Sequence, residues 1–98
     1  MVAMPCTTSS RLAWVRKAAE VSAREFGRLV GVSGTTIRNI ETDAKKVSLP
    51  TVLRISDAFE VSIDWLVSGK GKRPSSRRVR EALLTARGRL EDRSVVHG

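Results

Sequence analysis

No set of side chains in this chain can share the work of acid, base and nucleophile. There is one histidine, His97, and one cysteine, Cys6, with no Ser/His/Asp arrangement, no catalytic carboxylate pair and no glycine-rich phosphate loop. The residues that can do chemistry are of the kind that bind without reacting. Thr35, Arg38, Asn39 and Thr42 recur at three- and four-residue spacing, which on a helix gathers hydroxyls, a guanidinium and a carboxamide on one polar face. Lys45 and Lys46 follow directly. Eighteen Lys and Arg against ten Asp and Glu leave a net charge of +8, so the expected partner is a polyanion, nucleic acid first. A lone cysteine closes no internal disulfide, and one histidine makes no metal site, so no cofactor is expected.

Such a face has to be held outward by neighbours. Between Ser10 and Gly69 the chain repeats one pattern of polar cap, short apolar-periodic run and break, without strand alternation. The first helix is expected to start after Ser9 or Ser10 and to bury Leu12, Val15 and Ala19, with Trp14 beside that stripe. Ser22 and Glu25 read as a capping box opening a second helix that buries Phe26, Leu29 and Val30 and stops at Gly31. Val32 then packs inward and Ser33 caps a third helix over 33–41, with Ile37 and Ile40 on its inner side. Ser48-Leu49-Pro50 marks a fourth start, carrying Val52, Ile55 and Phe59 inward. Ser62 caps a fifth helix with Asp64 in its first turn and Ile63, Trp65 and Leu66 packed, ending at Gly69. Five short helices in about 60 residues predict an all-α fold; aromatic residues at 4% leave a core of Leu, Ile, Val and Ala.

The stretch from Ser22 to Glu41, SAREFGRLVGVSGTTIRNIE, has a small residue, Gly27, where two helices would cross and a glycine at the turn. Apolar residues at 26, 30, 32, 37 and 40 lock the pair. That is a helix-turn-helix pattern, whose second helix stands clear with a polar face able to enter a major groove. With the later stretch LRISDAFEVSIDWL at 53–66 and Gly69, the chain resembles the phage-repressor and Cro class of regulators, the XRE family, over about residues 10–69. The resemblance implies a compact five-helix, lambda-repressor-like domain that binds double-stranded DNA.

Carried over by position, it places Gly34, Thr35, Arg38 and Asn39 against base edges. Asn39 suits adenine, Thr35 a thymine methyl, and Arg38 guanine or a phosphate. Ser22, Ala23, Ser33, Thr36, Thr42, Lys45 and Lys46 would hold the DNA backbone. Arg16 and Glu41 would form a partly buried ion pair that positions the third helix. The class binds as symmetric dimers on half-sites about 34 Å apart, and Trp65, Leu66 and Val67 are the expected interface. Two departures stand out. Ala23 occupies a position that is frequently Gln, and Asp43 stands where a glycine commonly follows the third helix, so another loop path is expected there.

Residues 1–69 carry nine Lys/Arg against seven Asp/Glu, and residues 70–98 nine against three, so most of the excess charge lies beyond Gly69. Composition therefore divides the chain into a flexible N-terminal arm (1–9), a DNA-binding domain (10–69) and a basic linker and tail (70–98). Val79, Leu83, Ala86 and Leu90 make a narrow stripe in that tail, consistent with a disordered basic arm or with a helix that dimerises or folds on DNA. No apolar run approaches a membrane span of roughly 18 residues, and the start lacks a signal-peptide pattern, so a cytoplasmic protein with a reduced thiol is expected. The functional expectation is a sequence-specific transcriptional regulator of phage-repressor type, with no enzyme activity and no small-molecule substrate. The alternative is an antitoxin-type DNA-binding protein whose tail also wraps a protein partner along a solvent-facing apolar stripe.

Overall fold

The computed structural model describes the backbone of residues 7–96 and the side chains of residues 7–89. Residues 1–6 of the expected arm, Cys6, His97 and the side chain of Leu90 lie outside the described residues. Six helices are present and no strand among the described residues: α1 (Thr8–Ala19), α2 (Ala23–Val30), α3 (Gly34–Glu41), α4 (Leu49–Phe59), α5 (Ile63–Ser68) and α6 (Ser76–Val96).

Helix α1 starts at Thr8, two or three residues before the expected point. Thr7 Oγ1 accepts from the Ser10 amide at 3.0 Å, and the Thr7 amide donates to Ser10 Oγ at 3.0 Å, a box built from hydroxyls alone. Residues 7–9 are thus part of the α1 start, with Ser9 buried. Ser22, Ser33, Ser48 and Ser62 each cap the next helix by accepting an amide from the third position on.

One core binds all six helices. Leu12, Val15, Phe26, Ile37, Ile40, Ile55, Phe59, Leu66 and Val79 are essentially fully buried, and the Phe26 and Phe59 rings stack with centroids 5.1 Å apart. Trp65 meets Trp14 edge-on at 5.8 Å, and the Arg73 guanidinium lies over the Trp14 ring at 4.8 Å, which anchors the linker. Ile63, expected inside, is exposed, because on a helix of six residues Trp65 and Leu66 already occupy the inward side.

Helix α6 carries the expected apolar stripe, and the partner for that stripe is the body of the same chain. It packs along α1, α4 and α2 with Val79, Ala82, Leu83 and Ala86 buried. Its outer face is strongly basic, and arginines along it pair with acids of the body: Arg80 with Glu20 at 3.5 Å, Arg87 with Glu25 at 2.8 Å and Arg89 with Asp57 at 3.8 Å. A narrow stripe suffices because helices α1 and α4 supply the rest of the apolar contact.

Candidate nucleic-acid interface

Helices α2 and α3 form the most extensive helix pair of the fold. Close approach is possible because Gly27 has no Cβ; one added there would stand 2.5 Å from the Val32 carbonyl oxygen. Gly31 takes φ 81° to close α2, and the Val32 amide donates to the Gly27 carbonyl at 2.8 Å. Ser33 then caps α3 by accepting from the Thr36 amide at 3.0 Å.

On α3, Ile37 and Ile40 are 0% and 1% exposed, whereas Thr35, Arg38 and Asn39 are all exposed. Two apolar anchors on one side therefore present the three polar side chains on the other. The Thr36 and Ser33 hydroxyls lie 2.9 Å apart, and the Thr42 hydroxyl donates to the Arg38 carbonyl at 3.0 Å, so both threonines also serve the helix ends. Lys45 and Lys46 are exposed in the connection, where the Lys45 amide donates to the Asn39 carbonyl at 3.1 Å. Asp43 adopts φ 62°. It holds the left-handed conformation that a glycine would supply there, which Asp tolerates better than most residues.

The end of α3 is tied to α1. Arg16 Nε donates to Glu41 Oε2 at 2.5 Å and Nη2 to Oε1 at 2.9 Å, while Nη1 donates to the Val21 carbonyl at 3.1 Å. The side chains are 21% and 13% exposed. The Glu41 hydrogen bond raises the Arg16 pKa above its ordinary value against the opposing effect of burial, with the Glu41 charge adding to the rise. A bidentate fork of this kind fixes direction as well as distance.

Several expected site residues are placed differently. Gly34 has a packing role: a Cβ there would lie 2.8 Å from the Arg24 Cα, so its glycine lets the α3 start press on the α2 start. Ala23 is buried, leaving its backbone amide at the head of α2 as the group available to a phosphate. Trp65 and Leu66 are 5% and 1% exposed within the protein's own core, whereas Val67 is 51% exposed. Of the expected interface trio, Val67 alone remains on the surface. The carboxylate half of the Ser22/Glu25 box is not formed. The Glu25 amide donates to Ser22 Oγ at 3.1 Å, but the carboxylate accepts from Arg87 Nε at 2.8 Å, a charge-assisted bond that outcompetes a neutral amide. That bond holds the Glu25 pKa below the ordinary carboxylate value, burial working the other way.

Two residues escaped sequence reasoning. Arg24 is exposed beside the joint of α2 and α3, next to the expected backbone contacts at 22 and 23; its position just inside a capped helix start was the available signal. Arg11 is 4% exposed and its guanidinium donates to the carbonyls of Leu66 at 3.2 Å and Val67 at 3.4 Å. A cation at the negative end of α5 is favourable, but no local pattern marks an arginine as buried.

A family model described as helix-turn-helix matches residues 12–66, more than half of the chain. The match runs from the first buried leucine of α1 to Leu66 of α5. No curated protein and no solved structure matches the chain.

Proposed function

The chain belongs to the Cro/C1-type helix-turn-helix family of DNA-binding transcription regulators, and from that premise we propose that it is a sequence-specific repressor of phage or prophage type that occludes promoter DNA. The observation that carries this reading is the polarity of α3, with Thr35, Arg38 and Asn39 outward over buried Ile37 and Ile40. Asn39 bonds an adenine through both amide groups, Arg38 forks onto guanine and Thr35 touches a thymine methyl. Ser22, Ser33, Thr36, Thr42, Lys45, Lys46 and the Ala23 amide hold phosphates on either side, joined by Arg24. A homodimer aligns two such helices on paired half-sites, and the uncovered part of α5, Ile63 and Val67, suits the contact. No helix among the described residues is long and apolar enough to cross a membrane.

The antitoxin alternative called for a tail with an apolar stripe facing solvent. Val79 and Leu83 of that stripe are buried in the protein's own core.

Selection of bound duplexes from a random pool tests the proposal. A defined, two-fold-related consensus is expected. With it in hand, Asn39→Ala should relax preference at one base pair by about 1–3 kcal/mol, whereas Lys46→Ala should weaken all duplexes alike. Recovery of no consensus, or equal losses on every duplex for both variants, would refute sequence-specific readout by α3.

A further inference from the structure

A cavity of about 290 Å³ opens between the end of α2, the middle of α4 and α6, and α3 supplies none of its lining. Leu29, Ala58 and Ala86 give it an apolar floor; Leu29 and Ala58 are half-buried against the core and Ala86 is 7% exposed. Arg28, Arg54 and Arg89, one from each helix, line the same cavity with exposed side chains. Three like charges around one hollow repel each other, and the side chains of Leu29, Ala58 and Ala86 offer water no hydrogen bond.

The internal partners of these arginines are weak. Arg28 makes no hydrogen bond or ion pair among the described residues. Arg54 Nη1 reaches the Gly31 carbonyl at 3.4 Å, near the limit for a hydrogen bond. Arg89 stands 3.8 Å from Asp57, the one carboxylate of the lining, whose side chain is 84% exposed. Arg54 and Arg89 are thus held only by long, exposed contacts that an incoming anion can replace, and the lining keeps a net positive charge after Asp57 is counted. The volume lies at the small end of ligand pockets, which begin at about 300 Å³.

We propose that this cavity is a binding site for a small amphipathic organic anion, with a carboxylate or phosphate head on Arg28, Arg54 and Arg89 and an apolar body the size of one aromatic ring on Leu29, Ala58 and Ala86. The head is held by bidentate, charge-assisted bonds of the kind guanidinium geometry favours. The body supplies the discrimination, because a bare inorganic anion leaves the apolar floor wet. The site is separate from the face of α3 and its occupation needs no DNA.

Methyl NMR on the full chain, titrated without DNA, tests this. Benzoate and phenyl phosphate should each produce saturable shifts at Leu29, Ala58 and Ala86, and their relative affinities report whether a carboxylate or a phosphate head is preferred. Benzyl alcohol, which lacks the charge, and inorganic phosphate, which lacks the body, should bind at least about tenfold more weakly, a difference of about 1.4 kcal/mol. Arg54→Gln should weaken benzoate about tenfold or more. Ala58→Leu, which fills the hollow and keeps every cation, should abolish binding; Asp57→Asn should tighten it. Thermal unfolding of each variant confirms that it is folded, and the two lesions lie on different sides of the argument, charge and volume. Absence of saturable shifts for both aromatic anions overturns the site. So does inorganic phosphate binding as tightly as phenyl phosphate, or Ala58→Leu leaving benzoate affinity unchanged.

Discussion

At the scale of the residue, two positions decide how α3 is aimed. Gly34 costs helix propensity, yet its backbone sits where a Cβ would stand 2.8 Å from the Arg24 Cα. Gly34→Ala is therefore expected to lower stability by about 1–3 kcal/mol, the usual cost of overpacking against something that cannot yield. A urea unfolding midpoint at or above wild type would show that the α2 start gives way. Glu41→Gln removes the charge from a partly buried fork and leaves Arg16 one neutral carboxamide oxygen beside the Val21 carbonyl. A loss of about 1–3 kcal/mol is expected, in the range for hydrogen bonds to charged groups. Operator affinity should fall further than stability alone explains if the pair sets direction.

At the scale of the element, each helix is bounded by a device that can be changed. Glu60 closes α4 with φ 53°, a left-handed conformation unfavourable to a residue with a Cβ. Glu60→Gly should raise stability by about 1 kcal/mol, read as a higher midpoint in chemical denaturation. Helix α6 supplies Leu83 to the core at 5% exposure, so Leu83→Ala should cost about 2–5 kcal/mol. A tail independent of the body would make that substitution silent. The Arg87–Glu25 bond joins α6 to the start of α2 and gives stability a pH dependence. The folded pKa of Glu25 is depressed, so its contribution is present above the ordinary glutamate value of about 4.3 and disappears as pH falls through the lower folded value. On acidification below about pH 5 the wild-type melting temperature should drop faster than that of Glu25→Gln, and parallel curves would remove Glu25 from the acid response.

At the scale of the whole molecule, charge governs association. Each phosphate neutralised steepens the fall of log K with log salt by roughly 0.9. Replacing Lys45 and Lys46 together by Ala should make that slope shallower by about 2 per protomer if both lysines touch phosphates. An unchanged slope would assign them to solubility alone. The caps at Ser22, Ser33, Ser48 and Ser62, the inward residues of α4 and the split of α3 into Ile37/Ile40 and Thr35/Arg38/Asn39 were all legible in the sequence. They depend on neighbours within four residues, and local periodicity reports local burial. Gly27 was legible as a crossing for the same reason. Three things were settled by tertiary contact. The sequence of residues 70–98 left open a disordered arm or a helix that dimerises or folds on DNA, but α1, α2 and α4 offer Val79 and Leu83 a place in the core and offer Arg80, Arg87 and Arg89 acids to pair with. Arg87 in turn drew Glu25 out of its capping box across 62 residues of chain. Arg11 was drawn into contact with the end of α5 by a surface distant in sequence. A side chain's period records which face of its own helix it occupies; which other helix covers that face is fixed only when the chain closes on itself.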